Sequence, residues 1–168
     1  MFSGDELVGE LRKMQISHVV WLPDSTLGTW EQALSGGSPG DAPKSEGPHL
    51  IRVCREAEAW AVAAGLYLGG ARPLIMIQCT GLFDSGDSLR NAVHDYGLPL
   101  FAIIGYRSYL LAAATDSAKT YTEPVLQAWN IDYRLIDTPD KLPLLHEHYQ
   151  QTQQAGQAGV VLVAEGRM

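Results

Sequence analysis

Three short runs of nearly unbroken apolar residues constrain this chain more than any other feature: Leu74-Ile-Met-Ile77, 98–105 and 160–164. A strand with one face in water alternates apolar and polar side chains, whereas a run apolar throughout must be covered on both faces. Stretches with helical spacing separate the runs, so the covers are helices and the strands are parallel. Leu7, Leu11 and Met14 form a first amphipathic stripe, followed by a strand over 18–22. A helix is expected over 26–34, capped by Asp24 or Ser25. A strand over 50–54, an Ala-rich helix over 56–68 and a strand over 73–78 come next. After the stretch 87–96, segments over 98–105, 124–129, 133–136, 141–153 and 160–164 complete the pattern. The expected class is α/β: a doubly wound, mostly parallel sheet of about six strands with helices on both faces, in one domain over 1–168.

Composition excludes several functions. The chain carries 12 basic and 19 acidic residues for a net charge of −7, too acidic a surface for a phosphate backbone, so nucleic acid is not an expected partner. At 46% hydrophobic and 18% charged residues it has the makings of a core. Cys54 and Cys79 supply neither a disulfide framework nor a four-cysteine zinc site, which points to a reducing cytoplasm. No run approaches the ~20 apolar residues of a membrane span. Asp5, Glu6 and Glu10 are unlike a signal or transit peptide. The stretch 35–49 holds four Gly, three Pro and three Ser, and reads as a mobile surface loop or a lid.

Ligands of an open parallel sheet bind beyond the carboxyl ends of its strands. That rule selects Leu22-Pro-Asp-Ser25, Cys54-Arg-Glu-Ala57, Gln78-Cys-Thr-Gly-Leu-Phe-Asp84 and Gly105-Tyr-Arg-Ser108. Glu56 is the most informative of these residues. It opens a helix that is apolar nearly all round and is therefore expected to be buried on most faces, against a second subunit among other surfaces. A carboxylate in its first turn is partly desolvated, the setting of a proton carrier; the alternative is that Glu56 and Glu58 only complement the helix dipole. Gln78-Cys-Thr-Gly-Leu82 reads as a strand entering a glycine turn, where a ligand can approach the backbone. Walker and Rossmann patterns are missing. Cys79 reads as a small buried residue rather than a nucleophile, and the five histidines show no metal spacing with the cysteines.

The block Cys54-Arg-Glu-Ala-Glu-Ala-Trp-Ala-Val-Ala-Ala-Gly-Leu-Tyr-Leu-Gly-Gly70, continued by Ala-Arg-Pro-Leu-Ile-Met-Ile-Gln-Cys-Thr-Gly-Leu82, resembles the pyrimidine-binding domain of thiamine diphosphate-dependent decarboxylases. The similarity is greatest to the sulfopyruvate and phosphonopyruvate decarboxylases and extends over about 18–142. The resemblance implies that Glu56 is catalytic: it hydrogen-bonds N1′ of the aminopyrimidine and relays the proton that activates the cofactor, which then serves as electron sink for decarboxylating a 2-oxo acid. It implies that Pro23, Thr80, Gly81 and Leu82 also border the cofactor. Asp24, Asp84 and Arg107 would lie near a small anionic 2-oxo acid, with Arg90 or Lys119 as further cations. Asp24 falls near a position where some such decarboxylases keep a proton donor; it also suits a helix cap.

No Gly-Asp-Gly…Asn motif occurs, so no metal site is expected in this chain. The resemblance implies an α-type subunit whose β-type partner binds the diphosphate and Mg²⁺, with self-association through the 56–68 helix. Cys79, Thr80, Phe83, Asp84 and Ser108 depart from the family's pattern. Cys79, Phe83 and Asp84 favour the alternative, a non-catalytic binding or regulatory module that keeps the fold and a partner interface.

Overall fold

The computed structural model describes residues 1–24, 27–36 and 47–166. Six strands form a single all-parallel sheet in the order β2-β1-β3-β4-β6-β5: β1 (His18–Trp21), β2 (His49–Arg52), β3 (Pro73–Gln78), β4 (Phe101–Tyr106), β5 (Asp132–Ile136) and β6 (Gly159–Ala164). The α/β class therefore holds, and "mostly parallel" becomes wholly parallel among the described residues. Of the stretch 35–49, residues 37–46 lie outside the described residues, as do Ser25 and Thr26.

Alternation along each central strand builds two apolar layers. Val20, Ile75, Ile77, Ala102, Ile104, Val160 and Leu162 point to one face, where α3 (Glu56–Leu68), α4 (Cys79–Asp84), α5 (Gly86–Arg90) and α6 (Ser117–Ala128) pack. Val19, Trp21, Leu74, Met76, Phe101, Ile103, Val161 and Val163 point to the other, under α1 (Gly4–Lys13), α2 (Glu31–Leu34) and α7 (Pro143–Ala155). Side chains such as Trp21, Ile75 and Ile77 are wholly buried, each removing on the order of 1.5–3 kcal/mol of apolar exposure. The edge strand β2 is only half covered. No helix among the described residues is long and apolar enough to cross a membrane.

Local chemistry sets several boundaries. Ser3 and Glu6 close a reciprocal capping box at α1. Phe2 stacks on Trp30 at 4.9 Å, and the Trp30 indole N–H donates to the Phe2 carbonyl at 3.2 Å, so the extreme N-terminus braces the segment after β1. The helix expected over 26–34 is a 3₁₀ turn (Leu27–Trp30) running into α2. Residues 79–84 form a short helix rather than a glycine turn. The strand expected from residue 98 begins at Phe101, since Pro99 has no N–H to give the ladder. Helix α6 begins well before 124 because Asp116 caps it, and Pro124 lies inside it.

Gly159, at the start of β6, shows how tightly the strands and helices meet. A Cβ there would lie 2.6 Å from Thr152 Cγ2 and 3.0 Å from the Phe101 ring. Gly159→Ala should therefore cost about 1–3 kcal/mol through overpacking, read as a lower urea midpoint at unchanged slope.

Candidate functional site

The chain winds outward from β1 to β2 and then returns past β1 to β3, which puts the topological switch between β1 and β3. The carboxyl ends of β1, β3 and β4 open there onto a cleft of about 760 Å³. Asp24, Gln78, Arg107 and Asp116 line it, with the stretch from Ala113 to Thr115. Two other clefts, beside His94 and Asn130 and beside Arg72 and His146, lie at the amino ends of the strands.

Asp24 does cap the segment that follows: its Oδ1 accepts the Leu27 N–H at 2.8 Å and its carbonyl oxygen accepts that of Gly28 at 3.0 Å. Pro23, just before it, is exposed. Arg107 donates through Nε and Nη2 to the two oxygens of Asp116, at 2.7 and 3.0 Å. Asp116 also accepts from the Ser108 hydroxyl at 3.1 Å and from the Ala118 N–H at 3.0 Å, which makes it the N-cap of α6. Ser108 adopts a left-handed conformation, φ +62°, to bring its hydroxyl into this cluster. Arg107, the Ala118 N–H and Ser108 together hold the Asp116 carboxyl down to about 2. Sequence reasoning missed Asp116, although an Asp before Ser-Ala at the start of a helix is a readable cap signal.

Glu56 lies in the first turn of α3, half-buried, and its side chain makes no hydrogen bond or ion pair with the described residues. Its side chain runs across Gly81 in α4. A Cβ at 81 would overlap Glu56 Cγ and lie 2.5 Å from both Cδ and Oε1. The small residue that looked like a turn thus makes room for the acid. Glu58, by contrast, reaches back so that its Oε2 accepts the Cys54 N–H at 3.0 Å, a structural capping role.

The neighbours of Gly81 divide. The Thr80 hydroxyl donates to Gln78 Oε1 at 3.0 Å, while the Leu82 side chain is 2% exposed and belongs to the core. Asp84 accepts from Arg55 at 2.7 Å on the surface. Arg90 pairs with Asp87 and Asp95, and Lys119 donates to the Leu111 carbonyl at 2.7 Å. Buried Cys79 has its thiol pushed up by desolvation, the wrong direction for a nucleophile. Among the described residues no group of three or more His, Cys, Asp or Glu could hold a metal ion.

Within its own chain α3 is buried along one face only. Ala59, Trp60 and Ala63 are buried, but Ala61 and Gly65 are exposed and Leu68 is 72% exposed. Apolar composition here gives one face to the core and leaves the opposite face open. Glu165, which sequence reasoning also missed, follows β6 and is 1% exposed; a Cβ at Gly105 would overlap its Oε1. The same rule of carboxyl strand ends could have selected it.

Over 93 residues the chain is 32% identical to the sulfopyruvate decarboxylase α subunit of Methanococcus maripaludis, a match covering 54% of this chain and 56% of that protein. The chain is similar to sulfopyruvate decarboxylases. A second, that of Methanosarcina acetivorans, is 28% identical over 97 residues, covering 56% of this chain and 25% of that protein. The match thus spans about half the length of the first relative and a quarter of the second. No protein-family model matches the chain. In three dimensions, 98% of it superposes on 29% of the 2-oxoglutarate:ferredoxin oxidoreductase of Magnetococcus marinus, determined with 2-oxoglutarate, coenzyme A and succinyl-CoA bound. The TM-score of 0.67 at 10% identity shows a shared fold.

The Asp116 cluster yields a pH prediction. A carboxyl held below its unfolded value of ~3.9 adds stability above that value and loses it as pH falls through the folded one, about 2. Carboxyl-¹³C titration should find Asp116 still ionised at pH 3. In urea, the stability difference between the native chain and Asp116→Asn should be constant above pH 5 and shrink steadily below pH 4.

Proposed function

We propose that this chain is the α-type subunit of a two-chain thiamine diphosphate-dependent 2-oxo acid decarboxylase, with Glu56 as the residue that engages the aminopyrimidine. The similarity to sulfopyruvate decarboxylases supports the reaction class. One observation carries the site: a half-buried carboxyl at the head of α3, without a hydrogen-bond partner among the described residues, lies in space that a glycine keeps clear. Such a carboxyl fits a ring nitrogen that must be gripped and must exchange a proton.

Bound thiamine diphosphate would supply the electron sink for decarboxylation. Glu56 holds or passes a proton at its carboxyl oxygens, and Gly81 leaves that side chain its space. Pro23, Thr80 and the backbone at Leu82 border the ring, and the cleft of Asp24 and Arg107 receives the 2-oxo acid. Asp84, tied to Arg55, contributes charge at the margin. A β-type partner chain carries the diphosphate and Mg²⁺ site, and the chain alone is inactive. The open face of α3, with Ala61, Gly65 and Leu68, is the surface for self-association. Two free cysteines, one exposed and one buried, suit a reducing cytoplasm.

In the complex with its partner, Glu56→Gln should lower turnover by about 10²–10⁴-fold while assembly, followed by sedimentation, is retained. Gly81→Ala should have a similar effect, because the new methyl displaces Glu56, and circular dichroism should remain native. Unchanged turnover in Glu56→Gln would remove this residue from the mechanism and favour the non-catalytic binding module.

A further inference from the structure

We propose that the 2-oxo acid taken by this cleft carries an uncharged substituent, and that Asp116 excludes sulfonate and phosphonate heads by occupying Arg107. The inference rests on reading the chain as a 2-oxo acid decarboxylase subunit, and it narrows that reading to a substrate class.

A sulfonate or phosphonate is gripped by a parallel pair of guanidinium donors, either Nε with one Nη or the two Nη groups together. In this chain the Nε–Nη2 edge is spent on Asp116, and an anion at the remaining Nη1–Nη2 end meets a guanidinium whose charge that carboxylate already offsets. The pairing is built in rather than incidental. The same carboxylate caps α6 through Ala118 and holds the hydroxyl of Ser108, which is fully buried and left-handed. A ligand that took Arg107 from Asp116 would leave that carboxylate, only 10% exposed, without its cation.

Charge around the cleft points the same way. Its lining carries two carboxylates, Asp24 and Asp116, against one guanidinium, Arg107. The neighbouring cations are engaged elsewhere: Lys119 on the Leu111 carbonyl, Arg55 on Asp84, Arg90 on Asp87 and Asp95. A second negative group on the substrate would face like charge. The rest of the wall, Ala113, Ala114 and Thr115, offers small surfaces suited to a short aliphatic or hydroxylated substituent.

Two measurements test this separately from the parent reading. In the full chain labelled with ¹⁵N-arginine, the Arg107 Nε–H signal, assigned by its loss in Arg107→Lys, is followed as sulfoacetate is added. It should stay in place in the native chain and shift saturably in Asp116→Asn, where asparagine keeps the helix cap but gives up the charge. A saturable shift in the native chain at low millimolar sulfoacetate would overturn the proposal, as would an Asp116→Asn chain that stays silent. In the complex with its partner, pyruvate and 2-oxobutyrate should exceed sulfopyruvate and phosphonopyruvate in kcat/KM by at least about tenfold. Asp116→Asn should move that ratio toward the anionic substrates; a native preference for them overturns the proposal. If the complex decarboxylates no 2-oxo acid, the parent reading falls, and the arginine titration still decides whether Asp116 keeps anions from Arg107.

Discussion

Burial of both faces of β3, β4 and β6 forces every strand of this sheet to run one way, because each return must pass through a crossover that covers a face. From that follows the placing of everything chemical. The segments after β1, β3 and β4 emerge at one rim, and the head of α3, following β2, begins at the same rim. Residues far apart in sequence, Asp24, Gln78, Arg107 and Asp116, line one cleft without any dedicated scaffold.

Two devices at that rim solve opposite problems. Asp116 gathers four donors, from Arg107, Ser108 and Ala118, so one carboxylate orders the loop after β4 and starts α6. Glu56 is a carboxylate that accepts no hydrogen bond from the described residues and is given room instead. A group saturated with donors stabilises structure; a group with vacant lone pairs in a half-buried position is available for chemistry. The contrast separates the architectural acid from the one proposed for catalysis.

The class of fold and most of the helix and strand order were legible in the sequence, because unbroken apolar runs report two-sided burial directly. The extents of α3 and β3 were legible as well, since their apolar patterns end at Gly69 and Gln78. What was not legible had competing local signals. Gly81 reads as a turn by propensity, yet tertiary packing against Glu56 keeps it helical. The first half of α6 is polar, Ser-Ala-Lys-Thr-Tyr-Thr-Glu, and Pro124 suggests a helix start, so its true beginning at the Asp116 cap was hidden. The position of Glu56 at a helix head could be read directly, whereas the Arg107–Asp116 pair joins two loop residues with no periodic pattern between them. The open outer face of α3 could not be read, because an all-round apolar helix does not say which of its neighbours belongs to its own chain.

The contact between Glu56 and Gly81 also has a historical consequence. The two positions lie 25 residues apart in sequence and compete for one volume, so they cannot drift independently. Any side chain acquired at 81 evicts the acid, and any shortening of the acid releases the restriction on 81. Descendants of this chain that retain glutamate at the head of α3 are bound to retain glycine opposite it. A lineage in which 81 has grown a side chain has already abandoned the geometry at 56.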